Sequence, residues 1–540
     1  MANQLLFKAT KQGGAANVNE AGGIAYTFSP HHALAQYAAT GCLNNTFYAT
    51  AETQLKDVLD LASRVEPEFV AKTAVYARER GFMKDIPALL CASLAARKRP
   101  DLLRKVFRRI VNNGRMLRNF VQIVRSGTTG RRGLGTVPKK LVQEWFNDRS
   151  ADQIFNQSVG NNPSMRDVIR LTHPKPSDAT KEAVLGYLAD SPRTRHEHLP
   201  DSVKAFERFK TAKREADKAG APVDVPHVPF ELLTALNLTT EEWCQIAKRA
   251  GWHWIRMNLN TMQRHKVFDR TEMVDLVCRK LTDRDAIAKA RVFPYQLLAA
   301  YQNIGSDIPR PVREALQEAA EIAVANVPVL SGEVAICPDV SASMTMSVTG
   351  QRNGSTSKVT CVDVAGLVTA AVLRKNDTAL VLPFAYDVRP VNLAPAGTIL
   401  DNATSLGRIV GGGTACSAPV KWLNSKEARA KLVVLISDNQ SWLESKPTQD
   451  KRDTALMTEW NRYKGRNPDA KLVCLDIVPG STTQAQERPD ILNVGGFSDS
   501  VFNIIHSFVN GELHPDHWVG LISTVDLNEG SGNDDSNWIA

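Results

Sequence analysis

Val334-Ala335-Ile336-Cys337-Pro338-Asp339-Val340-Ser341-Ala342-Ser343 is the stretch on which the reading of this chain turns. A short apolar run followed by an aspartate and two serines at alternate positions suits the end of a buried strand and a tight loop beyond it. Further apolar runs follow at 379–384 (ALVLPF), 431–437 (KLVVLIS) and 471–478 (KLVCLDIV). Helical patterns stand between and after them, at 359–373, 418–428, 454–463 and 499–508. This alternation predicts a doubly wound α/β domain with a parallel sheet covered on both faces. Ligands of such sheets bind at the carboxyl ends of strands. Asp339, Ser341 and Ser343 therefore stand where oxygen side chains can converge on a hard cation such as Mg²⁺, which takes octahedral oxygen coordination and keeps several waters.

Two more residues sit where such a site needs them. Thr414 ends the Gly-rich loop Gly411-Gly412-Gly413-Thr414, just before a helix, and Asp438 follows the strand KLVVLIS. Serines 341 and 343 are also ordinary helix caps, so the specificity lies in the five residues taken together and in order. This set resembles the metal-ion-dependent adhesion site of von Willebrand factor A domains, over roughly residues 331–525. The resemblance implies Asp339, Ser341 and Ser343 near the ion, Thr414 direct or through water, and Asp438 through water. Pro338 is tolerable only as the last residue of its strand. The polar insertion at 345–358 predicts a mobile rim.

Upstream the period changes. From about residue 53 to 325 apolar residues recur at helical spacing, as in Leu55, Val58, Leu59, Ala62 and Val65, or Leu103, Phe107, Ile110 and Val111. Asp85, before Ile86-Pro87, is placed to cap a helix with proline in its first turn. Many short amphipathic helices without a fixed sequence repeat predict an all-α, HEAT-like solenoid; an irregular bundle is the competing architecture. The domains read as 1–328 helical, 329–525 α/β, and 526–540 a flexible tail.

Charge divides the same way. The 540-residue chain carries +9. Residues 331–540 hold 18 Lys/Arg against 23 Asp/Glu, a net of −5, which leaves +14 upstream. Residues 101–150 alone hold 12 basic against 3 acidic. A basic domain beside an acidic one predicts different partners, with polyanion binding on the basic side. Eight scattered cysteines without a Cys-x-x-Cys pair suit a reduced cytoplasm. No run approaches the ~18 apolar residues of a membrane span, and residues 1–14 lack a signal-peptide core.

Arg166-Asp167-Val168-Ile169-Arg170-Leu171-Thr172-His173-Pro174-Lys175-Pro176 is the second distinctive segment. A helical domain carrying it, followed by the metal loop, resembles the Ro autoantigen (TROVE-domain) family over nearly the whole chain. That resemblance implies helical repeats closed into a ring. It implies small noncoding Y RNA on the outer surface, at His173, and single-stranded ends of misfolded or structured RNA in a central hole. It further implies a role in RNA quality control, as an adaptor to an exoribonuclease or other RNA-processing enzyme, and a monomer, since a closed ring needs no second subunit. Arg166, Arg170 and Lys175 join His173 by charge and proximity. Arg125, Arg131, Arg132, Lys139 and Lys140 surround the Gly-rich loop at 127–135, whose backbone can approach phosphates closely. One departure is Ala415, where vertebrate members carry Asp after the Gly-Gly-Thr.

Two other classes compete. One is a metal-dependent protein scaffold with a peptide-binding solenoid. The other is an enzyme, which the motifs do not favour: the metal loop has no neighbouring His, and there is no Walker A loop, nucleophile elbow or His-Glu-x-x-His. The reading is a non-catalytic RNA-binding protein.

Overall fold

The computed structural model describes residues 17–19, 24–40, 43, 50–81, 83–216, 224–290, 292, 294–324, 327–330, 332–348, 358–438, 441, 453–478, 482–495, 499–511 and 517–528. The N-terminal stretch, Cys42, most of the 345–358 insertion and residues 529–540 lie outside them. Two compact units form: Met1–Gln54 with Val327–Gly520, and Leu55–Asn326 with Leu521–Ala540.

The strands are β1 (Asn17–Val18), β2 (Ile24–Thr27), β3 (Val334–Pro338), β4 (Leu380–Val381), β5 (Leu432–Ser437), β6 (Lys471–Asp476), β7 (Thr482–Thr483) and β8 (Ile491–Gly495). Five of them make a parallel sheet in the order β4-β3-β5-β6-β8. Every residue of β3, β5 and β8 is buried, which is why these runs are apolar without alternation. Pro338 ends β3 opposite Ile436. Its carbonyl accepts from Phe384 N at 3.0 Å, and Asp339 N resumes the ladder to Ile436 O at 2.8 Å, so the missing N–H leaves no gap. Helix Cys361–Lys375 packs on β3, β5 and helix Ile399–Gly407. Its Gly366 lets the two helices close: a Cβ there would stand 2.7 Å from Ala403 O. Helices Ala418–Ser425 and Ala455–Arg466 pack on each other around the fully buried Trp460 and Tyr463.

The unit boundaries differ from the 1–328, 329–525 and 526–540 division. The first 54 residues belong to the α/β unit. β2 pairs with β1 and β7 in a small antiparallel sheet, and Tyr26 OH donates to Asp453 at 3.0 Å. Helix Pro30–Thr40 packs on β8, where His32 Nε2 lies 3.1 Å from Asn493 O. At the other end, residues 526–528 are held rather than loose, because Lys105 and Arg109 bind them.

The helical unit is a succession of short helices, each packed on its near neighbours in sequence. Helix Pro100–Ile110 is typical: proline opens it, Leu102, Leu103, Val106, Phe107 and Ile110 are buried, and Arg108 and Arg109 close its last turn, where cations oppose the helix dipole. Asp85 differs from expectation by one position. It begins helix Asp85–Ala96 as the first helical residue and makes no side-chain cap; its carboxylate instead accepts from Asn119 Nδ2 at 3.2 Å.

One interaction recurs along this unit. Arg97 donates to Ala62 O and Val65 O at 2.6 and 3.0 Å, and Arg131 to Ala95 O at 2.8 Å. Arg149 donates to Asn112 O at 2.6 Å, and Trp145 Nε1 to Val111 O at 2.9 Å. Each donor reaches the carbonyl end of a helix roughly one helix pair away, where the last turn leaves its C=O groups without intrahelical partners. Arg149 also lies 3.8 Å from the Trp145 ring centroid. Replacing Arg149 by Ala leaves two carbonyls unbound and should cost about 1.5–3 kcal/mol, read as a lowered denaturant midpoint. Lys at this position should recover only part, since an ammonium is more strongly hydrated and lacks the planar guanidinium that joins Asn112 O to Trp145 O over the Trp145 ring. A midpoint unchanged in the Ala variant would remove this interaction from the account of the fold.

Candidate functional site

Of the five oxygen residues read from the sequence, Asp339, Ser341 and Ser343 share one loop, Asp438 lies close enough to Asp339 to raise its pKa, and Thr414 ends the Gly-rich loop that is hydrogen-bonded to the first. Asp339, Ser341, Ser343, Thr414 and Asp438 are all buried, at the carboxyl ends of the adjacent strands β3 and β5 and on the Gly-rich loop. Asp339 Oδ1 accepts from Ser341 N at 2.7 Å, and Oδ2 from Ser437 Oγ at 2.6 Å. The Ser341 and Ser343 hydroxyls are 3.2 Å apart. Ala342 N donates to Gly412 O at 3.0 Å and Gly411 N to Val340 O at 2.9 Å, which ties the Gly-rich loop to the metal loop. Gly411 and Gly412 sit at φ 145° and 84°, a region that favours glycine.

Whether an ion suits the site rests on two features. Thr414 Oγ1 is buried without a hydrogen-bond partner among the described residues, and buried hydroxyls ordinarily have one. Burial and the nearby Asp438 push the Asp339 carboxyl up to about 7, while hydrogen bonds from Ser437 and Ser341 act the other way. Two carboxylates repelling each other beside a lone hydroxyl are the donors a hard cation takes. Among the described residues no group of three His, Cys, Asp or Glu forms a metal cluster, so the donor set is one of carboxylates and hydroxyls. Ala415, in place of Asp, is buried and uses its N–H on Ala385 O at 2.9 Å.

Residues the sequence did not single out hold this arrangement. Ser437 fixes Asp339. Arg389 donates to Ile409 O and to Gly411 O, the latter at 2.7 Å, and its guanidinium lies 5.5 Å from the centroid of Tyr386. Neither residue belongs to a motif; the strand-end position of Ser437 was the only available signal.

On the helical unit the predicted basic residues separate into two groups. Arg131 is bound to backbone carbonyls of Ala95 and Leu134. Arg170 donates to Ala189 O at 2.9 Å, and Arg166 pairs with Asp190 at 3.4 Å. Arg125, Arg132, Lys140 and Lys175 are exposed, and Lys139 is half-buried; among the described residues none of the five has a hydrogen-bond or ion-pair partner. Gly130 and Gly133 have open space where a Cβ would stand, so the loop backbone is accessible.

His173 ends helix Met165–Thr172 at φ 49° and ψ 62°. A non-glycine residue there costs about 1–2 kcal/mol. The strain is supported by its N–H on Ile169 O at 2.8 Å and by Gln143 Nε2, which donates to Thr172 O and His173 O at 2.8 and 3.2 Å. The ring is exposed. Gln143 lies on helix Thr136–Asn147, on the face that carries Lys139 and Lys140 one turn earlier. The loop lysines and the histidine segment, read separately, are thus neighbours through one glutamine. Base stacking would need exposed rings, but Trp145, Trp252 and Trp254 are buried and belong to the core; His253 is half-buried with Nε2 3.2 Å from Ala290 O.

A further cluster was not legible. Lys84 is desolvated by the surrounding protein, and Arg115 and Arg78 also push its ammonium pKa down, although the side chain remains solvent-exposed. The His253 imidazole is lowered by burial, by Arg256 and by Lys84. These residues, distant in sequence, share one electropositive environment. Nothing local signals it, because it exists only after distant helices have packed.

Comparisons with known proteins agree with this architecture. Residues 32–236 match the TROVE domain model, and residues 333–509 match the Ro60 vWA domain model. A Deinococcus radiodurans protein named RNA-binding protein RO60 is 26% identical over 522 residues, 92% of this chain and 95% of that one. A Caenorhabditis elegans protein of the same name is 24% identical over 255 residues, 44% of this chain and 37% of that one. The crystal structure of the Deinococcus radiodurans Ro (RSR) protein shares the fold, with a TM-score of 0.62 at 22% identity, covering 90% of this chain and all of that one. With both domain models matched in this order and a relative aligned along nearly its whole length, the chain belongs to the Ro family of TROVE-domain proteins.

Proposed function

We propose that this chain is a non-catalytic RNA-binding protein. It binds a small noncoding, Y-type RNA on the face formed by Lys139, Lys140, His173 and the 127–135 loop. It takes single-stranded ends of misfolded or structured RNA at the Lys84, Arg115 and Arg256 cluster. Asp339, Ser341, Ser343, Thr414 and Asp438 hold Mg²⁺. The protein acts in cytoplasmic RNA quality control, or as an adaptor to an exoribonuclease or other processing enzyme. The observation that carries the reading is the apposition, through Gln143, of unpaired lysines on one helix with a strained, exposed histidine ending another. Free cations beside open backbone suit phosphate, and an imidazole suits a base or a phosphate oxygen. The names of the relatives support the same class. The seven described cysteines are unpaired, and no described helix is long and apolar enough to cross a membrane. A metal-dependent protein scaffold is the second reading; it is favoured by Tyr386, 65% exposed and packed against the arginine that anchors the Gly-rich loop.

Changing Lys139, Lys140 and His173 together to Gln, Gln and Asn should weaken binding of a structured small RNA at least tenfold near 0.1 M salt. The log–log salt slope should flatten by about 1.5–2, for two lost phosphate contacts, with melting unchanged. Arg131→Ala should instead lower stability, because its guanidinium supports the loop. Equal RNA affinity in the triple variant would sink the assignment of this face.

Lys84→Met removes a cation that its neighbours destabilise. It should leave the melting temperature equal or higher while weakening a single-stranded oligonucleotide. A variant that melts lower and binds unchanged RNA would show Lys84 to be structural.

For the ion, thermal melting with and without Mg²⁺ is the test. Asp339 holds its proton more tightly folded than unfolded. In the ion-free chain its contribution to stability is therefore full below about pH 4 and is lost as pH rises toward 7. Mg²⁺ competes with that proton, so its stabilisation should be larger at pH 8 than at pH 6. Thr414→Val should raise ion-free stability by about 1 kcal/mol, by removing an unbonded buried hydroxyl, and should reduce the Mg²⁺ effect. Melting indifferent to Mg²⁺ at both pH values would count against the ion.

A further inference from the structure

The last described residues of the chain cross helices Pro67–Glu79 and Pro100–Ile110 of the same helical unit. Lys72 Nζ donates to Ser523 O at 2.8 Å and Lys105 Nζ to Asn528 Oδ1 at 2.9 Å. Arg109, held by Glu79 at 2.7 Å on both oxygens, donates to Asp526 O. Leu527 is buried at 7% exposure. Between segment and helices lies a polar cavity of about 430 Å³, lined by Lys72, Arg99 and Lys105 together with Glu68, Asp101 and residues 524–528.

The chemistry of these contacts is one-sided. The segment meets Lys72 and Lys105 with neutral oxygens, a carbonyl and an amide, and the one carboxylate beside them is that of the exposed Glu68, 3.6 Å from Lys72 Nζ among the described residues. A phosphate oxygen would form a charge-assisted bond in the same place, roughly twice as strong as a neutral one. The segment supplying those oxygens is itself anionic: residues 521–540 contain Asp526, Glu529, Asp534 and Asp535 and no Lys or Arg. It is therefore complementary to a basic surface and repelled by nucleic acid. Its apolar hold beyond residue 523 among the described residues is the buried Leu527 with the half-buried Val525, a small attachment by burial. Arg109 is committed to Glu79, whereas Lys72 and Lys105 are the cations a competitor can take.

We propose that residues 523–528 act as a built-in competitor, occupying a phosphate-binding face made by Lys72 and Lys105, which single-stranded RNA takes over when the segment lifts. The proposal rests on the RNA-binding reading above.

The test uses the full chain, Leu527→Asp, and a chain ending at Ile522, which lacks the Ser523 carbonyl that Lys72 binds. A labelled 20-nucleotide oligouridylate is titrated across salt, and heparin elution is measured in parallel as an RNA-independent readout. Both released forms should bind several-fold tighter than the full chain. Their log–log salt slope should steepen by about 1.4, for two further phosphates at ~0.7 each. Lys72→Gln with Lys105→Gln in the released background should return affinity and slope to those of the full chain. Equal binding by released and full chains overturns the proposal. So does a gain that persists without the two lysines, or one reproduced in full by Glu529→Gln, Asp534→Asn and Asp535→Asn with Leu527 kept. If no form binds the oligonucleotide, the RNA reading of this face fails. Heparin then decides the competition alone: later elution of the released forms, lost with the lysine changes, supports it, and equal elution overturns it.

Discussion

The helical unit depends on what happens at the carbonyl ends of its helices. Short helices expose many such ends for their length, and each leaves up to four C=O groups without intrahelical partners. Here guanidinium and indole donors from a neighbouring helix pair fill several of them. Arg97 reaches Ala62 and Val65, Arg131 reaches Ala95, and Arg149 reaches Asn112. Trp252 reaches Leu281. The separations fall near one helix pair, so the repeat exists as a recurring interaction rather than a recurring residue. Sequence self-comparison finds no period for that reason: donor identity, donor direction and loop length all vary while the contact persists.

The same constraint changes what the charge means. The 12 basic residues at 101–150 look like a polyanion surface. Arg109, Arg118, Arg131 and Arg149 are instead turned toward carbonyls or a carboxylate inside the protein. Arg108 pairs with Asp148 at 3.0 Å. What remains for a ligand is a smaller set: Arg125, Arg132, Lys139 and Lys140 around the loop, with the exposed Arg115 and Lys105 apart from them. Composition counts charge but cannot say which cations folding has already used.

Legibility from sequence followed locality. Asp339, Ser341 and Ser343 were readable because one tight loop places all three. Thr414 and Asp438 were readable because a Gly-rich turn and a strand end mark their positions. The parallel sheet was legible because strands buried on both faces must be apolar throughout. The first 54 residues were not: β2 finds its partners in β1 and β7, the latter more than 450 residues away, and a four-residue strand carries no period of its own. The Lys84 and His253 environment was hidden for the same reason, since its members approach only through packed helices. Composition also reads 526–540 as a loose tail, but it does not register partners elsewhere in the chain, and Lys105 and Arg109 hold 526–528; residues 529–540 lie outside the described residues.

Arginine and lysine divide the work in this unit, and their chemistry explains the division. A guanidinium is a planar fork that can bridge two carbonyls with little further ordering, and it is weakly hydrated, so placing it half-buried between helices is cheap. An ammonium is a strongly hydrated point charge on a flexible stem, which suits exchange between solvent and a passing phosphate. Arg97, Arg131 and Arg149 accordingly bridge helix ends, while Lys139, Lys140 and Lys175 stay unpaired. Lys280, bound to Lys248 O and Ala250 O, shows that the rule is a preference. It follows that exchange between Arg and Lys is not neutral here in either direction: at a helix end Lys replaces a planar, weakly hydrated fork with a strongly hydrated ammonium, and on the open face Arg replaces a mobile cation with one prone to find a carbonyl.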